Sequence, residues 1–173
     1  MSVVSNTTVL SNFAGIGQLV VLRQIFGIVY LPTEVFAEIE DAQREGYAFF
    51  ADIEQHIFPF AQDGWLHLVS LNETELRLAA TLSAGLHRGE RSCIAIALQR
   101  NWLMLTDDRA ARAEARLRQA RFSGSIGCLV LAVERGLVPL AQANGWLEAM
   151  IAQGYYAPWT DLSLLINRGP AET

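Results

Sequence analysis

The chain has no lysine; all thirteen of its basic residues are arginine. It has no Gly-x-x-x-x-Gly-Lys loop and no Gly-x-Gly-x-x-Gly after a strand, so neither of the common nucleotide cradles is present. No Gly-x-Ser-x-Gly elbow occurs either, which removes the usual esterase nucleophile. Cysteine is scarce. Cys93 and Cys128 lie in apolar stretches without paired spacing, so buried reduced thiols are expected rather than a disulfide frame or a metal knuckle. His56, His67 and His87 show no zinc spacing with them. His87, beside Glu90, is read as a capping or surface residue. No apolar run reaches eighteen residues, which argues against a membrane span. The start, Met1-Ser2-Val3-Val4-Ser5-Asn6, has no basic n-region or long apolar core, so a cytoplasmic protein is expected. Repeats, low-complexity tracts and linkers are absent, and 173 residues suit one domain spanning 1–173.

The charge is unevenly spread. The total is −5, yet Arg88, Arg91, Arg100, Arg109, Arg112, Arg116, Arg118 and Arg121 face only Glu90, Asp107, Asp108 and Glu114 between positions 88 and 121. That stretch carries +4 and the remainder −9. Local patches, not whole-chain sums, drive counterion release on nucleic acid. A basic strip is compatible with RNA binding, and equally with a solvated arginine-rich helix face.

Short β-like runs alternate with helical ones. Val3–Ser5, Ile28–Leu31, Trp65–Leu71, Trp102–Thr106 and a piece near Arg121–Ser123 read as strands. Helices are expected over Leu10–Phe26, from an N-cap at Thr33, over the aromatic-rich Tyr47–Ala61, then from Asn72 or Thr74 to Ala84, Glu90–Arg100, Arg109–Gln119, Ile126–Arg135 and Leu140–Gln153. Cys93–Leu98 is apolar nearly all round, so its helix should cross the middle of the domain. The alternation argues for an α/β fold with a mostly parallel sheet between helix layers. Leu162–Ile166 is apolar enough to pack on a second subunit or to complete its own core.

In such sheets ligands sit beyond the C-terminal ends of strands. Asn6 and Asp107-Asp108 fall at such ends, Glu90 stands in the first turn of the buried helix, and Glu38 lies one turn into its own. Oxygen-rich clusters of this kind hold Mg²⁺ or Mn²⁺, which lower the pKa of a bound water and neutralise charge on a phosphodiester. Plainer roles are open at each position. Glu38 shares a face with Glu34, Asp41 and Glu45. Glu90 can complement a helix dipole, Asp107-Asp108 can turn and cap a chain, and Asn6 can bond its own backbone. Ser123 and Ser125 flank a helix start, where a phosphate can bind or a cap can form.

These residues carry a resemblance. Val3–Asn12, Ile16–Leu19, Val29–Val35 with Glu38, Gly89-Glu90 before an Ala/Ile-rich helix, Leu105–Arg109 with Arg112, and Gly124–Gly127 together resemble the PIN domain. The likeness is in particular to the short prokaryotic PIN-like branch once known only as a domain of unknown function. The similarity is clearest over 3–140, with helices at 140–168 as an extension. It implies a three-layer α/β/α sandwich and a Mg²⁺- or Mn²⁺-dependent endoribonuclease acting on RNA, single-stranded by expectation. It also implies the toxin role of a type II toxin–antitoxin pair, a small antitoxin partner and a homodimer. Glu38, Glu90 and Asp107 match the family's metal-site acids, with Asp108 sharing the task, and Arg109, Arg112, Arg116 and Ser125 are the expected RNA contacts. Asn6 matches a leading aspartate and departs from it: an amide oxygen can coordinate a cation but brings no charge. A catalytically weak or silent module that binds RNA or a protein is therefore the alternative.

Overall fold

The computed structural model describes residues 1–166. Its six strands are β1 Val3–Ser5, β2 Val29–Pro32, β3 Ile57–Phe58, β4 Leu66–Val69, β5 Leu103–Leu105 and β6 Phe122–Ser123. They form one sheet in the order β3-β4-β2-β1-β5-β6, and every pairing is parallel. The expected α/β/α sandwich is what the chain adopts. Strand β1 lies at the centre, in register with β5 from Val3↔Leu103 to Ser5↔Leu105. Its three residues are all buried, as the uninterrupted apolar start requires in a sheet covered on both faces.

The helices are α1 Thr7–Gly15, α2 Val20–Phe26, α3 Thr33–Arg44, α4 Glu73–Thr81, α5 Arg88–Arg100, α6 Arg109–Leu117, α7 Ser125–Glu134, α8 Leu140–Ala152 and α9 Ser163–Ile166. Helix α5 packs on α3, α4 and α6 and on β1, β2 and β5, while α1, α2, α8 and α9 gather around α7. The apolar run of α5 is buried from Ser92 to Ala97, as its composition predicts. Both cysteines are free and buried. Leu162 is buried and Leu165 and Ile166 pack against the core, while Leu164 is 58% exposed, so the apolar C-terminal run joins this chain's own core in part. The last two positions of the expected 140–168 extension lie outside the described residues.

Three local expectations need correction. The helix read over Leu10–Phe26 is two helices, because Gly17 takes φ +68° and ends α1. The break shifts the phase, so Val21 and Leu22 turn inward while Val20 is 45% exposed. Thr33 is the first residue of α3 and not its cap, since β2 runs straight through Pro32, which pairs with Val69. The segment Tyr47–Ala61 is not a helix. It makes two short 3₁₀ turns, Ala48–Phe50 and Ile53–His56, interrupted by Asp52 at φ +62°, and then strand β3.

One buried ion pair was not foreseen. Glu75 is fully buried, caps α4 in a reciprocal box with Asn72, and accepts from Arg100 at 2.6 and 2.8 Å. The Arg100 guanidinium, which also lies 5.0 Å over the Trp102 ring, holds the Glu75 carboxyl below its usual range.

Candidate active site

Asn6, buried at the end of β1, ties the two central strand ends together. Its Nδ2 donates to Thr106 Oγ1 (2.8 Å), and its Oδ1 accepts from the Thr8 amide (3.2 Å) and Thr8 Oγ1 (2.7 Å). The residue therefore caps α1 while clipping β1 to the residue after β5. Thr8 Oγ1 in turn accepts from the Asp107 amide (2.9 Å), and Thr106 Oγ1 accepts from the Asp108 amide (3.2 Å). Both ends of the amide are thus spent within the fold.

Asp107 follows β5 and is enclosed by donors. Oδ2 accepts from Ser125 Oγ (2.6 Å) and Asn12 Nδ2 (2.9 Å); Oδ1 accepts from the Ser125 amide (3.0 Å) and the Tyr155 hydroxyl (3.2 Å). Arg112 Nη1 stands 3.9 Å away, and the Asp107 side chain is only 6% exposed. Gly124 makes the room: a Cβ there would lie 2.3 Å from Asp107 Oδ1. Burial, reinforced by the Asp107 charge, pushes the Tyr155 hydroxyl well above its ordinary range.

The other carboxylates stand apart from this cage. Glu38 reaches from α3 to the start of α5, where its Oε1 accepts from the Gly89 amide (3.0 Å) and its Oε2 from Thr7 Oγ1 (2.8 Å). Gly89 again makes the approach possible, since a Cβ would sit 2.8 Å from both carboxylate oxygens. Glu90 accepts from the His87 amide (2.9 Å), and Asp108 caps α6 by accepting from the Ala111 amide (2.8 Å). Glu90 and Asp108 thus take helix-start roles, whereas Glu38 is bonded by two donors and is not simply part of a solvated acidic face. Among the described residues none of the three forms an ion pair. Burial raises the Glu90 carboxyl above its ordinary range, the His87 amide opposes this, and the charges of Asp108 and Glu38 add to it. Glu38 and Glu90 meet at the start of α5, where they accept from the Gly89 and His87 amides. Among the described residues no group of three or more His, Cys, Asp or Glu side chains is placed to hold a metal ion.

Three clefts open beside these acids. One is lined by Thr33, Glu34, Ala37, Glu38, Asp41, His87 and Arg88. Another contains Asp107, Arg109, Arg112, Tyr155, Tyr156 and Pro158, and the third, which shares Asp107, Arg109 and both tyrosines with it, adds Thr8, Asn12 and Asp108. The arginine strip is partly consumed by the fold: Arg100 serves Glu75, Arg118 pairs with Glu114, and Arg91 and Arg121 donate to backbone carbonyls. Arg112 and Arg116 lie over the Phe122 ring at 5.3 and 5.5 Å. Arg109 is exposed and makes no ion pair or hydrogen bond among the described residues. Ser125 needs correction as an RNA contact. It is fully buried, and its hydroxyl and amide both serve Asp107, leaving neither for a phosphate.

Sequence reasoning passed over Asn12, Thr8, Thr106 and Tyr155 as members of the site. Asn12 and Thr8 lie within a matching motif, but Tyr155 comes from the far end of the chain and carried no signal.

A family model described as a PIN domain matches residues 2–168. The chain belongs to the PIN-domain family. A search of curated proteins returned no match. PIN domains are generally nucleases and typically use divalent metals. In this chain Asn6 and Asp107-Asp108 follow the ends of β1 and β5, and Glu90 stands in the first turn of α5. Among the described residues no helix is long and apolar enough to cross a membrane.

Proposed function

We propose that this PIN domain is a Mg²⁺- or Mn²⁺-dependent endoribonuclease acting on single-stranded RNA, with a cation site weakened by Asn6. The observation that carries the reading is that Glu38, Glu90 and Asp108 share one edge of the sheet with no basic partner among the described residues. The donor set fits a hard cation in a water-rich form. Its atoms are carboxylate oxygens with lone pairs to spare, and Mg²⁺ is commonly held by one or two carboxylates with water completing the shell. Because no three of the acids converge, one or two of Glu38, Glu90 and Asp108 would hold the ion with water completing its shell, and Asp107 stands at the neighbouring strand end. Once bound, it supplies charge neutralisation at the phosphodiester and a more acidic water. Asn6 fixes the two strand ends, Asp107 is kept in one orientation by its donors, and Arg109 and Arg112 offer charge to RNA phosphates. The same reading makes the chain the toxin of a type II pair, checked by a short reading frame beside its own, and a homodimer, checked by light scattering.

A second reading, a PIN module that binds RNA or protein without cutting, is favoured by one observation: the Asn6 amide is bonded at both its oxygen and its nitrogen and contributes no charge where the family pattern has an acid. Cleavage of single-stranded RNA with Mn²⁺ and with EDTA separates the two, using the native chain, Asn6→Asp and Glu90→Gln. Metal-dependent cutting lost in Glu90→Gln supports the nuclease. Cutting that ignores EDTA overturns the metal mechanism, and cutting that appears only in Asn6→Asp identifies a natively silent site.

A further inference from the structure

The segment after α8 places two successive tyrosines on the cleft beside Asp107. Gly154, at φ +101°, turns the chain sharply at the end of the helix. Tyr155 then points inward and bonds Asp107, whereas Tyr156, the next residue, is 86% exposed on the rim of the same cleft. This is not a loose tip. Gln153 Nε2 donates to the Gly15 carbonyl (2.8 Å), the Ala157 amide to the Tyr155 carbonyl (3.1 Å), and the Leu162 amide to Asn144 Oδ1 (2.9 Å). A large aromatic ring is thus held in water on a pinned backbone, on a cleft that Arg109, Arg112 and Pro158 also line.

Charge selects the occupant. The Glu38 cleft presents Glu34, Glu38 and Asp41 against Arg88 and is net negative, while the Tyr156 cleft presents Arg109 and Arg112 against Asp107 and is net positive. An exposed ring next to arginines is the combination that binds unpaired nucleic acid: the ring takes a base face and the cation takes the backbone. A duplex hides its base faces, so it cannot use such a ring.

We propose that Tyr156 is a stacking platform for one base of single-stranded RNA, with Arg109 contacting an adjacent phosphate. The inference rests on the nuclease reading for the identity of the ligand, and it assigns the Asp107 side as the path of the strand. Tyr156 orients substrate here and takes no part in bond breaking.

The test is binding without cutting: fluorescence anisotropy of a labelled single-stranded oligoribonucleotide in EDTA. Tyr156→Ala should weaken binding about tenfold, in line with the loss of one base–ring stack. Tyr156→Trp should bind at least as tightly as the native chain, with an indole emission that RNA changes. Arg109→Ala should flatten the dependence of log Kd on log salt by about 0.7, one phosphate contact on a single strand. Tyr47→Ala, at a half-exposed tyrosine outside this cleft, should bind like the native chain. Binding of Tyr156→Ala within twofold of native, equal affinity for a duplex, or no RNA binding at all would overturn the platform. Selective binding that depends on Tyr156 in a chain that never cuts with Mn²⁺ would instead overturn the nuclease and leave the platform standing.

Discussion

The two sides of the site spend their acids in opposite ways. Asp107 is surrounded by Ser125, Asn12, Tyr155 and Arg112, so its charge is answered within the protein. Glu38, Glu90 and Asp108 accept from amides and one threonine hydroxyl and form no ion pair among the described residues. Burial pushes the Glu90 carboxyl upward, the charges of Asp108 and Glu38 add to this, and His87 opposes it. The first side stabilises the fold as it stands. The second holds unbalanced charge, which a cation would relieve. An acidic residue at a sheet edge is thus not one kind of feature: its partners decide whether it is a strut or an open valence.

The sharpest way to break this contrast is Asp107→Ala. It strands the Ser125 hydroxyl and amide, the Asn12 amide and the Tyr155 hydroxyl in a largely buried place, at a cost of about 3–5 kcal/mol. Urea unfolding reads this directly, and a loss under about 1 kcal/mol would show that the cage is not structural. Asn6→Asp comes next. Thr106 Oγ1 can turn its hydrogen toward the new carboxylate, so the clip survives, but a buried negative charge joins the acidic side at a cost of about 1–3 kcal/mol. Mn²⁺ should restore much of this and raise the melting temperature more in Asn6→Asp than in the native chain. An equal shift in both would remove position 6 from the cation site.

Much of this was legible because parallel strands buried on both faces are short apolar runs, and the residue after each run must lie at the ligand edge. Val3-Val4-Ser5 and Leu103-Met104-Leu105 therefore located Asn6 and Asp107-Asp108 without any structure. The cage around Asp107 was not legible. Asn12 and Tyr155 come from 95 and 48 residues away, as single polar side chains with no periodic signature. The break after α1 was hidden for a different reason: apolar spacing continues through Ile16 and Leu19, and only the positive φ of Gly17 ends the helix. Tyr47–Ala61 misled because its aromatic residues satisfy several patterns at once. The arginine strip was visible as composition, but its division between structural partners and free charge was not, since Arg100 finds Glu75 across 25 residues.

The mildest prediction separates the sides by pH. Glu90 has a raised carboxyl in the folded protein, so the fold binds its proton more tightly than the unfolded chain does. Its contribution to stability therefore declines as pH rises from the ordinary value of 4.5 through the raised one, and at neutral pH the ionised group opposes folding. Glu75 has the opposite sign. Its value is lowered by Arg100, so its contribution is present above 4.5 and is lost as pH falls through the lowered value. In unfolding series from acid to neutral pH, Glu90→Gln should keep the His87 bond through its amide oxygen and gain stability relative to native as pH rises. Glu75→Gln should lose about 1–3 kcal/mol at neutral pH and converge on native in acid. Saturating Mn²⁺ should erase the Glu90→Gln advantage, because the cation supplies to the native carboxylate the partner that the fold withholds. An advantage that persists unchanged in Mn²⁺ would mean that Glu90 faces burial alone and no ion.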